Sequence, residues 1–238
     1  MLNYDGVSLN QATEMQNQMR HQLSLHKGYD TITTIAGGDI SHNKNEDTVY
    51  AGIVILSYPQ MVLLSYSLVI AETKFPYVPG FLGFREVPSL LQAWEQIPNK
   101  PDMMILDGQG ITHPRRMGIA SHFGLLAAHA TIGCAKSMLF GHFPELGTTK
   151  FSNSPILSPN NELLGYALRT KNNVNPVYIS PGHKMSVPDS LNIMKQCIRH
   201  HRIPEPTRMA HDYVNLIRTG QLQPGFYKVD TQIGLFDF

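Results

Sequence analysis

The sequence predicts a mixed α/β domain whose core is three meandering strands, a helix and a parallel central strand. Three observations support this. Runs of apolar and β-branched residues predict the strands at residues 31–38, 49–56 and 61–71. Residues 83–97 carry apolar side chains at helical spacing. Residues 103–106 are wholly apolar, which is typical of a strand buried on both faces, and the preceding helix favours parallel pairing with the first strand.

The flanking elements follow from caps and turn residues. Ser8 is a favourable N-cap for a first helix with Ala12, Met15 and Met19 on one stripe, ending near residues 26–28. The turn at residues 57–60 joins the second and third strands as a hairpin. Further strands are predicted at residues 131–135, 162–168 and 176–180. Further helices are predicted at residues 117–129, after Ser186, and from Pro206 to Gly220.

Composition indicates a folded protein without a membrane span. The chain has 238 residues, 42% hydrophobic and 16% charged, which favours one globular domain, residues 1–222, followed by a tail, residues 223–238. We see no signal peptide and no apolar run long enough to span a bilayer, so we expect a cytoplasmic protein. Cys134 and Cys197 read as reduced core thiols. The net charge of +1 neither requires nor excludes nucleic acid.

Three acidic residues stand where apolar segments open into polar or glycine-rich sequence. Asp39 ends the first strand, Asp107 ends the central strand, and Glu86 lies in the first turn of the helix between them. Each residue alone has an ordinary explanation. An aspartate after a strand is a common turn residue, and a glutamate in the first turn of a helix interacts favourably with the helix dipole. If they converge, they form an oxygen cage suited to Mg²⁺. The order strand acid, helix acid, strand acid therefore favours metal-assisted chemistry on phosphate.

Five sequence motifs indicate a family. Residues 75–86 read FPYVPGFLGFRE and residues 106–124 read LDGQGITHPRRMGIASHFG. The other three are TIGCAK at residues 131–136, ISPGHKMS at residues 179–186 and PEPTRMAH at residues 204–211. The element order resembles the ribonuclease H-like fold. Together the motifs closely resemble endonuclease V, the deoxyinosine 3′ endonuclease, over residues 8–220.

The resemblance implies a role for each matched residue. It makes Asp39, Asp107 and Glu86 ligands of Mg²⁺, with Mn²⁺ as a substitute metal. Lys136 matches a lysine near the scissile phosphate. Two histidines, His113 and His211, match active-site histidines. Tyr77 matches the wedge that stacks beside the extruded base. The remaining residues match a pocket for hypoxanthine: Gly80, Leu82, Gly108, Gly110, Gly118 and Ile119.

The implied activity is cleavage of the second phosphodiester bond 3′ to deoxyinosine in DNA, with inosine-containing RNA as a second substrate. Physical chemistry fits this, because a base inside a duplex has to be flipped out before its pairing edge can be read. An aromatic wedge offsets part of that cost by stacking. Gln109 departs from the histidine of some family members, and its effect on substrate preference stays open.

Two other function classes stay open. A non-catalytic inosine-binding module would bind tightly without metal-dependent cleavage. A different ribonuclease H-like nuclease would prefer branched or mismatched DNA without inosine.

The tail carries a separate short motif. Residues 232–236 read QIGLF, which resembles the pentapeptide with which bacterial repair proteins bind the sliding clamp. Gln232 would make polar contacts, and Leu235 and Phe236 would fill an apolar pocket. The alternative is a terminal strand or strip packed on the domain itself.

Overall fold

A computed structural model describes residues 2–43 and 46–229 of the chain, and a mixed nine-stranded sheet lies at its centre. The strands are β1 (Thr34–His42), β2 (Thr48–Ser57), β3 (Leu63–Glu72), β4 (Met103–Asp107), β5 (Thr131–Ala135), β6 (Asn153–Leu157), β7 (Leu163–Leu168), β8 (Val177–Pro181) and β9 (Gly225–Lys228). The α-helices are α1 (Leu9–Met19), α2 (Leu82–Glu95), α3 (Ile119–Leu126), α4 (Val187–Cys197) and α5 (Glu205–Arg218).

The predicted core, three meandering strands with a central strand parallel to the first, is confirmed. The sheet runs β6-β7-β8-β5-β4-β1-β2-β3-β9. The first three strands form an antiparallel meander, and β4 pairs in parallel with both β1 and β5. The remaining pairs are antiparallel.

Helices cover both faces of the sheet. On one face, α4 and α5 bury side chains such as Met194 and Ala210 against Ile35 and Ile105. On the other face, α2 and α3 bury Leu90, Trp94 and Phe123 against Ala36, Met104 and Leu106. These last three residues alternate in sequence with Ile35 and Ile105, as side chains on a strand must. The sheet is therefore buried on both faces at its centre.

Glycine at position 37 brings α5 against the sheet. A Cβ at Gly37 would lie 1.9 Å from the carbonyl oxygen of Pro206, at the start of α5. Only a residue without a side chain permits that approach. Since β1 and α5 are in contact here, residues one turn further along α5 lie over the end of β1.

The structure corrects several predicted boundaries. Ser8 caps α1 with a full capping box, but α1 ends at Met19 and one 3₁₀ turn, Arg20–Gln22, follows. The chain leaves the helix there because Leu23 and Leu25 pack into a separate apolar cluster with Ile156 and Leu164. Helix α3 is also shorter than predicted at both ends.

Two strands were not predicted, and both lie at the sheet edges. In β6, Pro155 weakens the strand signal, since proline removes a ladder donor and is confined to such edges. Strand β9 pairs with β3 and belongs to the segment that we expected to form the tail. Gln232, Leu235 and Phe236 lie outside the described residues.

Among the described residues, we find no helix with the length and apolarity needed to cross a membrane.

Candidate active site

Two aspartates stand side by side at the end of the parallel strand pair. The register pairs Gly38 of β1 with Leu106 of β4, so the next residues, Asp39 and Asp107, are neighbours across the pair. Asp39 is four residues after Ile35, and Asp107 is two residues after Ile105. Since every second side chain of a strand lies on the same face, both aspartates point to the face that α5 covers. Asp39 is buried, while Asp107 is the last residue of β4. Neither forms part of a turn.

Each aspartate has one side-chain nitrogen partner. The Lys136 ammonium, just beyond β5, forms a salt bridge with Asp107. The Nδ1 atom of His211 on α5 lies 2.8 Å from Oδ2 of Asp39. Asp107 lies opposite Cys134 in the register, so Lys136, two residues further, has the parity that points to the same face. The topology thus brings four of the predicted site residues together.

Glu86 completes an acidic cluster from the other side of the strand ends. Helix α2 begins at Leu82, so Glu86 starts its second turn and not its first, and the first turn contains no acid. Burial raises the pKa of Glu86 to about 8, with further contributions from Asp39 and Asp107. Burial and Asp107 raise the pKa of Asp39 to about 6, against the hydrogen bond with His211. Both aspartates thus act on the pKa of Glu86, which places Glu86 within electrostatic range of them.

The Lys136 ammonium responds to the same charges. Burial lowers its pKa, but Asp107 and Asp39 outweigh burial, so the net direction is upward and the ammonium form is favoured. A fixed positive charge next to a carboxylate cluster suits it to contact an anionic group such as a phosphate.

A cavity of about 340 Å³ opens beside the carboxylates. Three chain segments form its walls: the loop before α2, the connection between β4 and α3, and the residues after β5. Most of the predicted site residues line it: Tyr77, Gly80, Leu82, Glu86, Asp107, Gly108, His113, Gly118, Ile119 and Lys136. The volume lies within the range of small-molecule sites, roughly 300–1,000 Å³.

Backbone, not side chain, forms much of the cavity wall between β4 and α3. Gly108 has φ +148°, a conformation that L side chains rarely adopt. A Cβ at Gly118 would lie 2.2 Å from the Gln109 carbonyl oxygen. Gly110 lies behind this wall and not in it, where its N–H donates to Ser180 Oγ at 2.9 Å. These positions let a flat ligand approach peptide groups directly.

His113 joins two walls of the cavity through backbone groups. Its Nδ1 faces the backbone N–H groups of Arg115 at 3.1 Å and Met117 at 3.3 Å, so this nitrogen accepts. The proton is therefore on Nε2, which donates to the Gly80 carbonyl at 2.9 Å. Burial lowers the pKa of His113 to about 4. In this structure His113 is a neutral side chain whose hydrogen bonds connect the loop before α2 to the β4–α3 connection.

Two further residues converge on the Gly80 carbonyl and were not predicted from the sequence. Gln16 of α1 donates to it at 3.0 Å, and Arg115 donates to it at 3.1 Å. Gln16 and Arg115 also bond each other. A sequence signal did exist for Gln16, because it falls four residues after Ala12, where the buried stripe of α1 continues.

Tyr77 and Gln109 both line the cavity. Tyr77 is 57% exposed at the rim, where its ring lies 5.5 Å from that of His42. Gln109 is a strut: its Nε2 donates to the Ser137 carbonyl at 2.7 Å, and its Oε1 accepts from Thr112 Oγ1 at 2.5 Å. Gln109 therefore ties the β4–α3 connection to the segment that follows Lys136.

The donor set suits a hard cation. Asp39, Asp107 and Glu86 supply only oxygen, which Mg²⁺ and Mn²⁺ favour. Across residues 2–43 and 46–229, no three His, Cys, Asp or Glu side chains are arranged to ligate one ion. The three carboxylates therefore do not form the closed oxygen cage expected from the sequence. An ion at Asp39 and Asp107 would need water or substrate oxygens to complete its shell.

A family model describes most of the chain. The model for endonuclease V matches residues 15–212. The chain belongs to the endonuclease V family.

Relatives and solved structures agree with this assignment. Endonuclease V of Myxococcus xanthus is 43% identical over 213 residues, which are 89% of this chain and 90% of the relative. The endonuclease V structure from Streptomyces avermitilis has a TM-score of 0.84 at 31% identity, covering 90% of this chain and 94% of that one. The Ciona intestinalis endonuclease V, solved with a 24mer DNA containing an inosine followed by a ribo-adenosine, has a TM-score of 0.79 at 27% identity and covers 89% and 98%. The ribonuclease H-like fold predicted from the sequence is confirmed.

We expect Glu86→Gln to stabilise the metal-free protein at alkaline pH. The folded pKa of about 8 lies above the ordinary value of 4.5, so ionisation of Glu86 costs stability as pH rises through this window. The variant should match the parent near pH 4.5. Above pH 8 we expect a gain of about 1 kcal/mol, or roughly 2–4 °C in Tm for a chain of this size. Thermal unfolding in chelator at several pH values measures this.

Glu95→Gln is the matched control, because Glu95 lies on the same helix but is exposed. It should show no gain that grows with pH. Equal pH dependence in the two variants would contradict the acidic cluster.

Proposed function

We propose that this protein is a metal-dependent repair endonuclease that recognises deoxyinosine in DNA. It cleaves the second phosphodiester bond on the 3′ side and leaves 3′-hydroxyl and 5′-phosphate ends. The observation that carries the proposal is a cavity of about 340 Å³ that opens beside Asp107 and Glu86. Asp39 is next to Asp107 where the parallel pairing of β1 and β4 stops, although β1 itself continues to His42, beyond the predicted strand end. Family membership supports an endonuclease, and the inosine-containing DNA bound by the Ciona relative supports the substrate. Inosine-containing RNA is a second substrate. We also propose a cytoplasmic location, which is supported by the free buried thiols of Cys134 and Cys197.

The cavity suits a base that has left the duplex. Leu82 and Ile119 supply apolar contact to a flat ring, and the glycine-rich wall supplies peptide groups that read its edge. Gln16, His113 and Arg115 all donate to the Gly80 carbonyl, and these hydrogen bonds fix the spacing of the walls. The exposed ring of Tyr77 stacks in the space that the base vacates, and Pro76 and Pro79 restrict its loop.

The residues beside the cavity provide the chemistry on phosphate. Asp39 and Asp107, with Glu86 as a third carboxylate, would hold Mg²⁺ or Mn²⁺. When bound, the ion would polarise the phosphate, lower the pKa of a bound water and stabilise the leaving oxygen. Lys136 donates to the phosphoryl oxygens as negative charge develops there. His211 fixes one oxygen of Asp39, and His113 shapes the base pocket without exchanging a proton.

The proposal is tested with end-labelled oligonucleotides that carry one deoxyinosine or one riboinosine. Cleavage is measured with Mg²⁺, with Mn²⁺ and with chelator, for the parent, Asp39→Asn and the exposed control Asp30→Asn. We expect a metal-dependent cut one nucleotide beyond the inosine. Asp39→Asn should lose at least about 100-fold in rate, since the metal contribution is large, while Asp30→Asn should cut normally.

Two outcomes would overturn the proposal in favour of another function. Tight inosine binding without any cutting would indicate a binding module. Cleavage of branched or mismatched DNA in preference to inosine would indicate a structure-specific nuclease.

A second test addresses the wedge. Tyr77→Ala should weaken binding of inosine-containing duplex by about 1–3 kcal/mol, the usual contribution of base–aromatic stacking. Tyr77→Phe keeps the ring and should bind nearly as the parent does. Because a wedge offsets the cost of unpairing, the loss should be larger on duplex than on single-stranded DNA. Equal losses on both substrates would assign Tyr77 a general contact instead.

We also propose that the tail binds a bacterial sliding clamp through Gln232, Leu235 and Phe236. Val229, the last described residue, donates to the Leu64 carbonyl at 2.9 Å at the edge of the sheet. A peptide of residues 226–238 should bind a purified bacterial clamp, and the same peptide with the three residues changed to alanine should not. Equal binding of both peptides, or none by either, would refute the interaction.

A further inference from the structure

Helix α5 carries a row of polar side chains that begins at the active site. His211, Asn215 and Arg218 are spaced by four and three residues, so they lie along one face of the helix. Asn215 Nδ2 lies 3.0 Å from Nε2 of His211, and Arg218 donates to Asn215 Oδ1 from Nη2 at 3.1 Å. At the other end of the row, Nδ1 of His211 lies 2.8 Å from Asp39.

The chemistry of the last residue sets the direction of every bond in the row. Arg218 can only donate, so it has to face the amide oxygen of Asn215. The NH₂ group of Asn215 then faces His211, and Nε2 of the ring has to accept. A neutral imidazole whose Nε2 accepts carries its proton on Nδ1. That proton points to the Asp39 carboxylate.

Asp39 alone would not decide this arrangement. A carboxylate can accept from Nδ1–H, but a protonated carboxyl group can equally donate to a bare Nδ1. A charged imidazolium would also satisfy Asp39. Asn215 excludes both alternatives in this geometry. In each of them Nε2 carries a proton, which would point at the NH₂ donor of Asn215.

The row also returns to the strand from which it starts. Arg218 Nη1 donates to Asn43 Oδ1 at 3.3 Å, and Asn43 immediately follows β1. Asp39 lies four residues earlier on the same strand. The bonds therefore connect the residue after β1 to α5 and, through His211, back to Asp39 within β1.

We infer that Asn215 and Arg218 are positioning residues that select the Nδ1–H tautomer of His211 and so fix the orientation of the Asp39 carboxylate. This rests on the proposed function only in making Asp39 a ligand of the metal. Partners that orient a ligating group of this kind usually affect metal affinity or activity by about 10- to 100-fold.

The direct test is the tautomer itself, read by ¹⁵N–¹H NMR on the full metal-free chain with ¹⁵N-labelled histidine. The chain has eleven histidines, so the His211 signals are assigned by comparison with His211→Gln. In the parent protein at neutral pH, we expect Nδ1 at the shift of an N–H nitrogen and Nε2 at the shift of an unprotonated nitrogen. Asn215→Asp places an acceptor opposite Nε2, so Nε2 should move to the N–H shift.

Two further variants separate positioning from a general loss of structure. Arg218→Lys keeps a donor for Asn215 Oδ1 and should retain the parent tautomer. Asn192→Asp makes the same chemical change at an exposed position on α4 and should leave the His211 signals unchanged.

Functional readouts complete the test. Asn215→Asp should change Mn²⁺ affinity, measured by calorimetry, and the cleavage rate by about 10-fold or more, with thermal stability within the range of Asn192→Asp. An Nε2–H tautomer in the parent, or an unchanged tautomer in Asn215→Asp, would overturn the inference. Since the NMR result needs no cleavage, a parent protein that fails to cut inosine DNA would refute the proposed function and leave the tautomer assignment standing.

Discussion

The parallel register of β1 and β4 is the constraint on which the rest of the site depends. It sets Asp39 beside Asp107 at the point where the two strands separate, and it does so in a partly buried position. Two carboxylates placed this way repel each other, and Glu86 adds to the repulsion. Folding alone does not favour this arrangement, because apolar residues would stabilise the strand ends better. A cluster that lowers stability and needs a cation is expected where function depends on one.

The surrounding elements compensate for this cost in different ways. Lys136 and His211 each engage one aspartate, and both are held by elements that pack next to the strand pair. Glycine at position 37 allows α5 to approach β1 closely enough for His211 to reach Asp39. The cavity walls are then fixed independently of the charges, through the three donors on the Gly80 carbonyl. Binding of the base and chemistry on phosphate are thus supported by separate sets of contacts.

Much of this could be predicted from sequence, because the signals were local. Strand alternation and the helix between the strands predict the core, and the parity of Asp39 and Asp107 on their strands places both on one face. The five motifs supplied the site residues. Edge strand β6 was missed because Pro155 breaks its pattern. The i,i+4 spacing of His211 and Asn215 is visible in the sequence, but their roles depend on Asp39, 172 residues from His211. The buried position of Gln16 continues the stripe of Ala12, but its bond to the Gly80 carbonyl joins residues 64 apart, which no local pattern records.

The two site histidines show why residue type alone does not assign a role. His113 and His211 both lie in family motifs, and the sequence supports an active-site role for each equally. In the structure, both ring nitrogens of His113 bond backbone groups inside the domain, and burial keeps it neutral. His211 is half-exposed and bonds a carboxylate on one side and an amide on the other. A ring whose two nitrogens bond backbone groups holds loops in place, whereas a ring between a site carboxylate and a side-chain amide is coupled to the geometry of that carboxylate. The partners of each ring, and not the motif in which it lies, therefore determine what the histidine can do.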